Sequence, residues 1–136
     1  MTALSADRNT PRRSGDKRVV PVAAATVLYA GAMAAINAAG NAVPVTVSTT
    51  LKGAGRVERR ADNSAGAAGA ISAEISAGIF RYANSAAGDL ITQADIGSDC
   101  YGVDDQTVAK TSATNTRSVV GKVFDVDALG VWVKFS

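Results

Sequence analysis

Residues 118–135, near the end of the chain, carry an alternation of period two that no helix can bury on one side. Val131, Val133 and Phe135 fall on one side of an extended chain, and Trp132 and Lys134 on the other. A second extended run, Ser118 to Val126, precedes them across Asp127-Ala128-Leu129-Gly130, a turn of the kind that joins antiparallel strands. The pattern predicts a β-hairpin. Burying the Val131 face fixes its register, because a slip of one residue would carry that face into water.

Strand signals continue upstream. Val19-Val20-Pro21-Val22 reads as an extended segment that Pro21 confines to a sheet edge or a strand start. Two apolar stretches flank Asn37-Ala38-Ala39-Gly40-Asn41, which reads as a hairpin loop. Gly53 to Arg60 reads as a short strand with charges on an exposed face, and residues 62–69 as a flexible turn. In residues 70–82, Ile71, Ala73, Ile75, Ala77 and Ile79 alternate with Ser72, Glu74 and Ser76, although the isoleucines also fit a helical stripe. β-branched and aromatic residues gather toward Tyr82 and favour one strand. Asn84 to Asp89 reads as a loop, and residues 91–99 as a connection with room for one helical turn. Cys100–Val103 and Thr107–Lys110 read as short strands about an Asp104-Asp105 turn, before a polar loop from Thr111 to Asn115. The predicted class is all-β, a small barrel or sandwich.

At 136 residues the chain fits one domain, but its core must be built from small pieces. Ala (27) and Gly (13) far outweigh their share, while Leu, Ile, Val and Phe together number only 30. At about 0.8 kcal/mol per buried methylene, each buried residue contributes less than usual. Self-association or a partner is the expected remedy.

Net charge is only +2, too low for a general nucleic-acid binder, yet it is unevenly spread. Residues 1–60 hold nine Lys or Arg against three acids, and residues 89–136 hold four against seven. Residues 1–18 are polar, charged and turn-rich, a composition that stays disordered in a free monomer. The uncharged stretch 19–51 behind Arg12 and Arg13 imitates a signal peptide, with Ala32-Met33-Ala34 as a cleavage look-alike. Asp7 and Asp16 interrupt the basic region, Pro21 and Gly31 punctuate the run, and alanine supplies most of its hydrophobicity. No membrane insertion or export is expected.

Chemistry is hard to place. The chain has no histidine, hence no ordinary general base near neutral pH and no Ser-His or Cys-His pair. Gly53-Ala54-Gly55 lacks the third glycine of a dinucleotide loop, and no phosphate-binding GxxxxGK[ST] occurs. Asp104 and Asp105 are neighbours that an extended chain sends to opposite faces. With Asp95 and Asp99 they lack the spacing of a calcium loop. The single Cys100 excludes an internal disulfide and reads as a small buried hydrophobe, and Trp132 as an interface or core anchor. No cofactor or metal is expected. A small hydrolase using Ser or Asp is disfavoured by the missing base.

ITQADIGSDCYGVDDQTVAKT (91–111) and TRSVVGKVFDVDALGVWVKF (116–135) resemble the end of capsid decoration, or cement, proteins of tailed bacteriophages, especially Mu-like phages and related siphophage prophages. VPVAAATVLYAGAMAAINAAGNAVPV (20–45), GRVERRADN (55–63) and GIFRYANSA (78–86) continue the likeness in the same order. The resemblance implies a β-tulip-like barrel or sandwich over residues 19–136. It implies a non-enzymatic protein of the virion's outer surface, clustered as homotrimers at three-fold positions and stabilising the major capsid protein lattice. It also implies an extended N-terminal arm over residues 1–18 that reaches along the shell. Arg8, Arg12, Arg13, Lys17 and Arg18 are the expected contacts to acidic patches, and Val19, Val20 and Val22 the expected added strand. Nucleic acid and membrane are not expected partners. The alternative is a head-fibre base or a carbohydrate-binding adhesin, which would need a concave site built from Tyr29, Phe80, Tyr82, Tyr101, Phe124, Trp132 and Phe135.

Overall fold

Short apolar runs broken by glycine and asparagine turns become short strands. Residues 2–136, which the computed structural model describes, hold twelve of them. These are β1 (Lys17–Pro21), β2 (Thr26–Leu28), β3 (Met33–Ile36), β4 (Ala42–Pro44), β5 (Lys52–Val57) and β6 (Ala61–Asn63). The second half holds β7 (Ser72–Ser76), β8 (Gly78–Tyr82), β9 (Asp99–Asp104), β10 (Thr107–Ala109), β11 (Val119–Asp127) and β12 (Gly130–Phe135). Two antiparallel sheets result, in the orders β1-β7-β5-β3-β4 and β10-β9-β11-β12-β8, with β2 and β6 forming a separate ribbon. The architecture is all-β, and the helical turn expected within residues 91–99 is a 3-10 turn at Gln93–Asp95.

Asn37 closes the β3–β4 hairpin: its side-chain oxygen accepts the N–H groups of Ala39 (3.0 Å) and Asn41 (2.9 Å). β3 is apolar on both faces because both are covered. Met33 and Ala35 join a cluster with Val120, Val123, Val131, Val133 and Phe135 of the second sheet. Ala34 and Ile36 turn the other way, toward Val20, Val22, Leu28, Ala54, Val57 and Ile75, a cluster that the β2–β6 ribbon helps to close. The first sheet is therefore a middle layer, and its alanines are the side chains that fit there.

Each sheet curls until its edges touch. Val22, just past β1, meets Ala42 of β4 in a single parallel bridge, and Ala83, just past β8, meets Thr107 of β10 in another. One bridge is not a ladder, so neither sheet closes and the barrel alternative is corrected. Gly55 is where β5 folds over: its φ of +138° lies in the left-handed region, and a β-carbon there would strike the carbonyl of Ser76 on β7. Gly53 admits the main chain of Val120 in the same way, which brings β5 onto β11.

Three expectations change. The single strand expected over residues 70–82 is two, because Gly78 (φ +138°) breaks it and sends β7 and β8 into different sheets. Ile79 consequently leaves the face that Ile75 buries and reaches the surface. The turn expected at residues 62–69 begins inside a strand, and its Asn63 is buried, donating to the carbonyls of Ala23 (2.9 Å) and Ala67 (3.0 Å). The strand drawn from Gly53 to Arg60 runs from Lys52 to Val57 instead. The final hairpin is as expected, with Val126 opposite Val131 and Asp127 opposite Gly130, and with Val131, Val133 and Phe135 buried.

Gly55→Ala should cost at least about 2 kcal/mol, since the strained backbone alone accounts for 1–3. Gly88→Ala, which meets nothing within 4 Å, should change stability by less than about 0.5 kcal/mol. Urea unfolding of both variants checks the contrast.

Candidate interaction surface

Residues 2–16 contain no strand and every one of them is exposed. Arg8, Arg12 and Arg13 lie in this stretch, and none forms an ion pair among the described residues. The other expected arm residues belong to the protein's own sheet. β1 pairs with β7 from Lys17 opposite Ser76 to Pro21 opposite Ser72, so this segment is already the edge strand of the protein's own sheet. Val20 is buried and Val22 is 0% exposed, both within the inner cluster. Val19, 70% exposed, is the only one of the three valines that presents its side chain to solvent, and Arg18 is half-buried. Lys17 Nζ sits 3.2 Å from Glu74 Oε1, a largely exposed pair that adds little stability.

Three acids from residue 89 onward form ion pairs with nearby cations. Asp89 pairs with Arg117 (3.2 Å), Asp95 with Lys110 (3.8 Å) and Asp99 with Lys122 (2.7 Å).

Groups whose protonation is displaced move away from neutrality. The Thr111 hydroxyl, then Arg117, hold the Asp89 carboxyl below the usual carboxylate range, and the Thr92 N–H does so for Asp95. Asp127 is lowered chiefly by the Trp132 indole N–H (2.9 Å), with the Leu129 N–H also on it (2.7 Å). Glu58 is lowered by Ser76 and then by Arg56. Burial pushes the Cys100 thiol up to about 12, and burial likewise raises the Tyr82 phenol, whose O–H donates to the Gly31 carbonyl (3.0 Å). Asp104 serves its turn, accepting the Gln106 N–H at 2.9 Å. Among the described residues no three His, Cys, Asp or Glu side chains converge.

The aromatic residues are divided between core and surface. Tyr82 and Phe135 meet edge to face inside the second sheet's cluster. At the surface, guanidinium groups lie over three rings: Arg56 over Phe80 (4.4 Å), Arg60 over Tyr29 (5.4 Å) and Arg81 over Trp132 (5.5 Å). Sequence reasoning did not find these pairs, because Arg56 and Phe80 are 24 positions apart and only the sheet-to-sheet contact joins them.

No protein-family model matches the chain, no curated protein matches it, and no solved structure matches its fold.

Two outcomes follow for the side chains just described. Cys100 should resist an alkylating reagent in the native protein and react only as the chain unfolds, which mass spectrometry over a urea series reads directly. Asp89, Asp95 and Asp127 bind protons less readily folded than unfolded, so their stabilisation is complete above the unfolded value of about 3.9 and is lost as pH falls through their lower folded values. The melting temperature should therefore hold from pH 7 to about 5 and drop by pH 2.5.

Proposed function

We propose that this protein is a non-enzymatic decoration, or cement, protein of a tailed-phage head. On this reading it lies on the outer surface of the shell as homotrimers at three-fold positions and reinforces the major capsid protein lattice. The finer fold reading is a β-sandwich carrying an extended arm. The observation that carries the proposal is the exposed basic stretch of residues 2–16, leading directly into the edge strand of a tightly built β body. The resemblance of the segments between residues 20 and 135 supports the same reading.

Arg8, Arg12 and Arg13 are the arm's charges toward acidic patches on the shell, with Lys17, Arg18 and Val19 at its root. Many weak contacts of this kind suffice in a trimer, since the first arm to bind holds the others at high local concentration. Exposed apolar side chains such as Phe124 and Leu129 supply surface for subunit or shell contacts. The adhesin alternative is less favoured: Tyr29, Phe80 and Trp132 each already carry a guanidinium, and Tyr82 and Phe135 are buried.

The structure sets the right truncation. β1 begins at Lys17, and the Asp16 carbonyl accepts the Ala77 N–H (2.8 Å), so residues 2–15 are the segment to remove. The truncated protein should melt cooperatively yet lose binding to expanded empty heads in a co-sedimentation assay. Undiminished binding, or density for isolated monomers in a reconstruction of decorated particles, would overturn the proposal.

A further inference from the structure

We infer that the outer edge of β8 is a docking edge for a short, acidic, extended segment of a partner protein. Under the capsid reading, on which the partner's identity rests, that segment belongs to the shell.

Main-chain groups along β7 and β8 alternate between two sides. On one side, the Glu74 carbonyl accepts from Glu58 N–H (3.0 Å) beside β5, and β12 then takes over as the neighbour of β8. On the other, the Ile71 carbonyl accepts from Val22 N–H (3.0 Å) and Ala77 N–H donates to the Asp16 carbonyl (2.8 Å). Six residues on, Ala83 faces the same outer side: its N–H donates to Gln106 (2.8 Å) and its carbonyl accepts from Val108 (3.0 Å). Alternation places the N–H and C=O groups of Ile79 and Arg81 on that side too, between two occupied positions. No strand lies there, since β8 ends its sheet. The gap from Ala77 to Ala83 is about 20 Å long, room for a segment of four to six residues.

The groove along this edge is lined by Gly31, Arg56, Ile79, Phe80, Arg81 and Trp132, and so straddles both faces of β8. Arg56 is shared with Glu58 (2.8 Å), whereas Arg81 forms no ion pair among the described residues. Added strands take affinity from main-chain bonds and selectivity from flanking side chains, and here the charged side chains lining the groove are Arg56 and Arg81.

The protein's own N-terminal stretch is nearest to this edge and is unsuited to it. Continuing the β1–β7 register past Asp16 would set Arg13 opposite Phe80, under Arg56, and Arg12 opposite Arg81. Like charges directly opposite are destabilising. The Ser14 hydroxyl instead bonds the Asp16 carboxylate (2.6 Å) where the chain bends, and among the described residues nothing from 2 to 15 makes a main-chain bond to the body. Arg12 and Arg13 lie within a few residues of Asp16, whose carbonyl accepts from Ala77 N–H at one end of this edge.

The test uses isotopically labelled full-length protein and two capped eight-residue peptides, one alternating Val with Glu and one alternating Val with Lys. The Glu peptide should slow amide exchange at Ile79 and Arg81 by at least about tenfold at saturation, and the Lys peptide should not. Arg81→Glu, and separately the pair Arg12→Glu and Arg13→Glu, should each weaken that binding by about tenfold while the melting curve stays in place. Equal protection by the Lys peptide overturns the inference, as does protection elsewhere in the chain. Protection of Ile79 and Arg81 that rises with protein concentration alone also overturns it, since the occupant is then a second copy. The same variants added to expanded heads separate the two readings. Peptide binding without head binding sinks the capsid assignment and spares the edge, and head binding unaffected by Arg81→Glu does the reverse.

Discussion

A sheet covered on both faces must be thin, and the rest of this structure follows from that requirement. β3 places Met33 and Ala35 against the second sheet and Ala34 and Ile36 against the inner cluster. Gly53 lets β5 approach β11 at main-chain distance, and Gly55 lets it fold over β7. Larger residues at these positions would push the layers apart and forfeit the dispersion contacts that close-packed interiors depend on. Abundant alanine and glycine, which on composition alone suggest an underfilled core in want of a partner, are here the means of stacking a ribbon and two sheets in a small chain.

The same economy creates the exposed features. Because β7 and β8 are one continuous run broken at Gly78, the chain leaves one sheet and enters the other within two residues. The second sheet then ends on a strand whose outer edge, among the described residues, is partnered only at its extremities, by Asp16 and by the segment around Thr107. Natural edges of this kind are usually blunted by charge or proline. β1 has Lys17, Arg18 and Pro21, whereas β8 has only Arg81, and its arginines attract one class of strand rather than repel all of them.

Electrostatics adds a second division of labour. Asp89, Asp95 and Asp99 are matched by nearby cations and Asp127 by the Trp132 indole N–H, which ties down loops and the final hairpin tip. Arginines early in the chain lack such partners in the exposed stretch or lie flat on aromatic rings. Under the proposed function, that charge is what meets the shell. The buried thiol and the lowered carboxylates are held by burial and by hydrogen bonds within the fold.

What the sequence determined by itself is local. Period-two alternation and turn chemistry made the β class, the Asn37 hairpin, the final hairpin and its buried face legible, because each depends on residues within about ten positions of one another. The basic character of residues 8–18 was legible as charge, but that Lys17 to Val22 forms the protein's own edge strand was not, since its partner β7 lies more than fifty positions away. Tertiary structure alone decided the split at Gly78, the curl that stops short of a barrel, the stacking of Arg56 on Phe80 and the vacancy beside β8. Each is a long-range contact whose energy depends on how two sheets meet, and a pattern read along one strand carries no information about the second.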